Sequence, residues 1–139
     1  MNRTVLLAAS AVATAALALP ALGAPPKPIT QKFTYNDGTA DPTATAVSGA
    51  GCDGMLPNEK GIEFKAPAAG KLKVSLTSTG DWALEVRDAK GRALGTADGG
   101  MPQDQESVAV KLKAGGTFTI LPCNLGGLPN ASGVIEYKP

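Results

Sequence analysis

Three carboxylates, Asp37, Asp41 and Asp53, stand in a Gly- and Ala-rich stretch. Loop carboxylates and backbone carbonyls are the oxygen ligands that a hard cation such as calcium takes. Asn36-Asp37-Gly38 reads equally as a plain turn, and the spacing lacks the dense ladder of an EF-hand loop. No metal is assigned, and whether these three hold calcium stays open at this level. Asp98 and Asp104, which flank the Met101-Pro102 loop, are read in the same way. General acid–base work needs two acids converging in a cleft, whereas the 12 Asp and Glu residues are scattered along the chain. Ser75 and Ser107 have lysine neighbours, the raw material of a Ser–Lys nucleophile, but no sharp turn presents either hydroxyl. Histidine is absent. That removes Ser-His-Asp and Cys-His catalysis, imidazole zinc sites and blue-copper sites. The chain is therefore expected not to be an enzyme, with no catalytic residue and no cofactor; a small carboxylate-based hydrolase is the least favoured alternative.

Trp82 is the natural candidate to stack on a sugar ring, but it shares strand parity with Leu84 and Val86 and is expected in the core. Tyr35 and Tyr137 fall near the two ends of the folded region, where either could be exposed. Cys52 and Cys123 are the only cysteines. With no Cys-x-x-Cys spacing and no second ligand type nearby, they are expected to form a structural disulfide.

The elements that carry these residues alternate with period two. Leu72, Val74 and Leu76 alternate with Lys71, Lys73, Ser75 and Thr77. Trp82, Leu84 and Val86 alternate with Ala83, Glu85 and Arg87. Val108, Val110 and Leu112 alternate with Ala109 and Lys111, and Phe118 and Ile120 with Thr117 and Thr119. Shorter runs, Ile29–Tyr35, Ile62–Lys65 and a last strand near residues 133–138, share the pattern. Such alternation predicts half-buried strands with one face on the core and one in water. Turn residues separate them: Pro67-Ala-Ala-Gly70, Asp88-Ala-Lys-Gly91, Asp98-Gly-Gly100, Ala114-Gly-Gly116 and Gly126-Gly127. No stretch supports an amphipathic helix. The expected fold is all-β: a single jelly-roll-like β-sandwich of about 7–9 short strands with one disulfide.

The first 23 residues have a different character. A basic start ending at Arg3, an uncharged Ala/Leu-rich stretch from Val5 to Leu19, the helix breaker Pro20 and small residues at Ala21 and Gly23 have the layout of a secretory signal peptide. The apolar stretch is short for a membrane span. The expected organisation is a signal peptide over 1–23 and a β-sandwich domain over 24–139, exported to the periplasm or the medium. Arg3 is the only charged residue of the leader, so the remainder has as many basic as acidic side chains. With no basic run, nucleic acid is not an expected partner. Asn130-Ala131-Ser132 is a glycosylation sequon, informative only in a eukaryotic host.

The run Gly61 to Gly99, GIEFKAPAAGKLKVSLTSTGDWALEVRDAKGRALGTADG, resembles the bacterial pre-peptidase C-terminal domain. The matching features are an aromatic strand before Ala-Pro-Ala-Ala-Gly, the Leu-Lys-Val-Ser-Leu strand, the Gly80-Asp81 pair leading to Val86, and the Asp-Ala-Lys-Gly turn. Glu106-Ser-Val-Ala-Val-Lys-Leu and Lys113-Ala-Gly-Gly-Thr-Phe continue the order, so the resemblance spans roughly Glu59 to Tyr137. It implies a small secreted jelly-roll-like sandwich that accompanies exported peptidases. No peptidase is expected in this sequence, and Trp82-Ala83-Leu84 stands where many relatives carry further acids. The function expected is a secreted or periplasmic non-catalytic binding module for an extracellular protein or polysaccharide surface. The alternative is a structural, stabilising partner of an exported peptidase.

Overall fold

A chain of alternating apolar and polar residues reaches its lowest free energy by pairing strands so that every second side chain leaves water. In the computed structural model, residues 24–36, 52, 61–99 and 105–139 are described. They form six strands: β1 (Ile29–Asn36), β2 (Ile62–Lys65), β3 (Gly70–Arg87), β4 (Ala93–Ala97), β5 (Gln105–Leu112) and β6 (Thr117–Lys138). All six are hydrogen-bonded into one open antiparallel sheet. The protein is all-β among the described residues, and Cys52 and Cys123 are joined in a disulfide, Cα atoms 5.7 Å apart.

The expected number of strands differs for a physical reason. The alternation predicts one strand ending at Thr77 and another starting at Trp82, with a turn at Gly126-Gly127. Instead β3 (18 residues) and β6 (22 residues) run through both places, paired along nearly their whole lengths. Register shifts at Ser78/Gly80 and Asp81/Trp82 bend this two-stranded ribbon without ending it. Gly80 has φ of 114°, a region that side-chain-bearing residues avoid. A Cβ there would also overlap the Cα of Gly127 on the opposing strand.

The bend divides the sheet into two four-stranded halves that share the ribbon. In one half, β1 flanks the C-terminal part of β6, and β5 flanks the N-terminal part of β3. In the other, β2 flanks the start of β6, and β4 flanks the end of β3. The hydrogen bonding thus gives a single sheet rather than two separate ones. The inner faces of the halves nevertheless share one core, including Leu72, Val74, Leu76, Val108 and Val110 from the first and Phe64, Trp82, Leu84, Val86 and Ile120 from the second. Phe64 and Tyr137 meet across it with ring centroids 5.5 Å apart. Tyr137, a candidate for exposure, is fully buried, and its hydroxyl donates to Ala68 O at 2.6 Å.

The turn expected between the two strands that meet at Asp88 is formed. Gly91 N–H donates to Asp88 O at 2.9 Å, and the Asp88 carboxylate accepts from the N–H groups of Lys90 and Arg92. Arg92 also closes an ion pair on Asp88 at 2.7 Å. The hydrogen bond from the Arg92 side chain is the main cause holding the Asp88 carboxyl below its ordinary range.

Candidate binding surface

The outer faces of the two halves differ sharply. Behind the second half, alternation stops: Trp82 to Val86 are buried consecutively, as are Ile120 to Asn124. Ala83 and Glu85, read from parity as solvent-facing, are inside. The cause is Cys52, which the disulfide fixes against this face to make a second cluster with Ala83, Leu121 and Cys123. Cys52 N–H donates to Glu85 Oε1 at 2.9 Å, and Arg87 Nε lies 2.6 Å from Glu85 Oε2. A buried carboxylate is tolerable when its oxygens have such donors. Sequence parity carried no sign of this arrangement, because Cys52 is remote in the chain from the strands it covers.

Behind the first half no described segment lies over the sheet, and strict alternation persists: β5 reads exposed, buried, exposed, buried along all eight residues. The outward row of β3 (Ser75, Thr77, Thr79), with Thr34 and Asn36 of β1 and Asn130 and Ser132 of β6, makes a polar strip of hydroxyls and amides. Two grooves run along it, of ≈ 530 Å³ near the bend and ≈ 500 Å³ farther along. They share Thr34, Thr77 and Ser132 and so form one continuous trough. The Asn36 amide donates to Asn130 Oδ1 at 2.6 Å, and the Ser75 and Ser107 hydroxyls lie 3.4 Å apart. These two serines hydrogen-bond to each other on an open face, which gives neither the general base that a nucleophile requires.

Trp82 lies in the core at 1% exposure and presents no platform to solvent. Tyr35 is half-buried and packs against the core from β1. Asp37, Asp41, Asp53 and Asp104 lie outside the described residues, as do residues 1–23, where a signal peptide is expected.

One carboxylate group was missed. At the bend, Asp81, Asp98 and Glu106 come close enough to act on one another. Glu106 takes the inward parity of Val108 and Val110, is 7% exposed, and accepts from Gly99 N–H at 2.9 Å. Burial is the main cause raising its carboxyl above the ordinary range, with the charges of Asp98 and Asp81 adding to it. Asp81 is raised likewise, first by burial and then by Asp98. The signal was present in the alternation, since Glu106 is the inward position preceding Val108. Among the described residues no three acids, cysteines or histidines are placed to share one metal ion, and no helix is long and apolar enough to cross a membrane.

The polar trough can hydrogen-bond a polyhydroxylated or peptide ligand laid along the strands, and the acids at the bend do not line it. In comparison with known proteins, no protein-family model and no curated protein sequence matches the chain.

Proposed function

We propose that the protein is an exported, non-catalytic binding module that uses the open face of β1, β6, β3 and β5 to hold an extracellular protein or polysaccharide. The observation that carries this is the asymmetry of the two outer faces. One carries the disulfide-bonded Cys52 against a buried Glu85 that is paired with Arg87; the other keeps a continuous trough of hydroxyls and amides in water. Function on sandwich-like scaffolds resides in such exposed, rigidly supported surfaces. The disulfide and the leader's composition support export, and the order of strands and turns supports kinship with pre-peptidase C-terminal domains.

The test is a thermal-shift panel of neutral and acidic oligosaccharides on wild type and on a Thr77→Arg/Ser132→Arg variant, which fills the trough with bulk. A ligand at a hundredfold excess over its Kd stabilises by about 2.7 kcal/mol, a rise of several degrees. The expected result is a rise with at least one saccharide in wild type that the variant loses. A hydrolase activity abolished by Glu106→Gln or Asp81→Asn would overturn the reading.

A further inference from the structure

The register of the first half sets three lysines side by side at the end of the sheet away from the bend. Lys138 of β6, Lys71 of β3 and Lys111 of β5 are direct cross-strand partners on the outer face, and all three are exposed. Neighbouring strands lie about 4.8 Å apart, so three ammonium groups project from one face across about 10 Å. Like charges directly opposite one another weaken a sheet, and no ion pair among the described residues neutralises any of the three. The same three lysines line one groove of ≈ 490 Å³. Lys111 also borders a neighbouring cleft of ≈ 310 Å³ lined by Lys90, Lys113 and the Asp88–Arg92 ion pair. A chain that is nearly neutral overall thus concentrates positive charge at one end, opposite the acids of the bend.

We propose that this lysine row is an anion-binding site for an acidic polysaccharide, whose carboxylate or sulfate groups meet Lys138, Lys71 and Lys111 in turn. The inference rests on the binding-module reading and gives it a ligand class. Three features favour a glycan. The row lies on the same face as the hydroxyl and amide trough, two rungs beyond Ser75 with Lys73 and Glu136 between them, so a chain long enough to span both can place sugar hydroxyls in the trough. Trp82, Phe64, Phe118 and Tyr137 are buried, and Phe33 and Tyr35 are half-buried against the core, which leaves no row of fully exposed aromatics on which nucleic-acid bases would stack. Among the described residues only Leu94 offers an exposed large apolar side chain beside the cations, since Leu128 lies mid-strand in β6 next to the bend, and a membrane surface is held by clustered apolar residues together with charge.

The test measures binding of the full exported chain to polygalacturonate and dextran sulfate, with unmodified dextran, single-stranded oligodeoxythymidine and phosphatidylglycerol vesicles as competing chemistries. It is repeated with a K71Q/K111Q/K138Q variant. Wild type should bind at least one acidic polysaccharide and lose affinity as salt rises, and dextran should bind far more weakly. The variant should bind at least tenfold more weakly, with a log–log salt dependence shallower by about three, one unit per ion contact. Its melting temperature should stay level or rise, because opposed like charges have been removed. Equal binding by wild type and variant, no binding to either acidic polysaccharide, or tighter binding to the oligonucleotide or vesicles would overturn the proposal. Trough-dependent binding of a neutral saccharide, unchanged in the lysine variant, would overturn it while leaving the binding-module reading standing.

Discussion

Reduction of the Cys52–Cys123 bridge should lower stability by an amount that its place in the fold allows to be worked out. The bridge closes a loop with a sequence separation of 71. In the chain-entropy model this constrains the unfolded chain by about 4 kcal/mol. A second contribution is local, because the bridge holds Cys52 N–H on the buried Glu85 carboxylate. Releasing that donor removes a charge-assisted hydrogen bond from a group 2% exposed, a loss of about 1–3 kcal/mol if the site stays dry. The sum is about 5–7 kcal/mol. A domain of this size shifts by roughly 4 °C per kcal/mol, so the midpoint should fall by about 20–30 °C. The assay is far-UV circular dichroism melting of oxidised wild type, reduced wild type and a Cys52→Ala/Cys123→Ala variant. Glu85→Gln in the oxidised protein isolates the local part and should cost about 1–3 kcal/mol. If oxidised and reduced protein melt within a few degrees of each other, the bridge neither constrains the unfolded chain nor clamps the covered face. If only Glu85→Gln is silent, the entropic part stands and the local part fails.

Trp82→Ala should cost about 3–5 kcal/mol by denaturant unfolding, as expected for a fully buried indole. Trp82 is the single tryptophan, so its emission should be blue-shifted, shielded from iodide, and unchanged by any saccharide that binds the open face. Gly80→Ala should destabilise by about 1–3 kcal/mol or more, because φ of 114° is strained for alanine and the added Cβ meets Gly127; a neutral result would mean that the bend is not built on this glycine. The carboxyls of Asp81 and Glu106 are raised in the folded state, burial being the larger cause for each, so the native protein binds more protons than the unfolded chain near and above the ordinary carboxylate range. Their contribution is present in full at low pH and is lost as pH rises through the raised values. The melting temperature should therefore climb as pH is lowered from neutral towards the carboxylate range, and Glu106→Gln should flatten that climb. At lower pH still, protonation of Asp88, whose carboxyl is lowered chiefly by its hydrogen bond with Arg92, should act in the opposite direction.

The pairing partners of a residue and the cover over a face were the parts of this fold that local pattern could not supply. Alternation placed Leu72, Val74, Leu76, Trp82 and Ile120 in the core and paired the two cysteines, because each of those readings depends only on parity or on a count of two. It failed for Glu85 and Ala83, whose parity faces outward but whose outer face is closed by Cys52, more than thirty positions away. It ended one strand at Thr77 and began the next at Trp82 because the polar residues and glycine between them interrupt the apolar pattern, whereas here they bend a ribbon that stays hydrogen-bonded. The basic end was invisible for a related reason. No run of lysines exists along the chain, and the row Lys138–Lys71–Lys111 is assembled only by register between strands far apart in sequence.

The pairing of β1 with β6, Ile29 opposite Tyr137 and Asn36 opposite Asn130, has a mechanical consequence. Tension applied between the segments that lead into Ile29 and out of Tyr137 pulls on two neighbouring strand ends at the same end of the sheet. The load then falls on one rung at a time and peels β1 away from Ile29 towards Asn36, instead of shearing all the rungs together. Under such a pull the domain should open at low force and in that order. The ribbon of β3 and β6 and the cystine behind it would remain as the last part to yield.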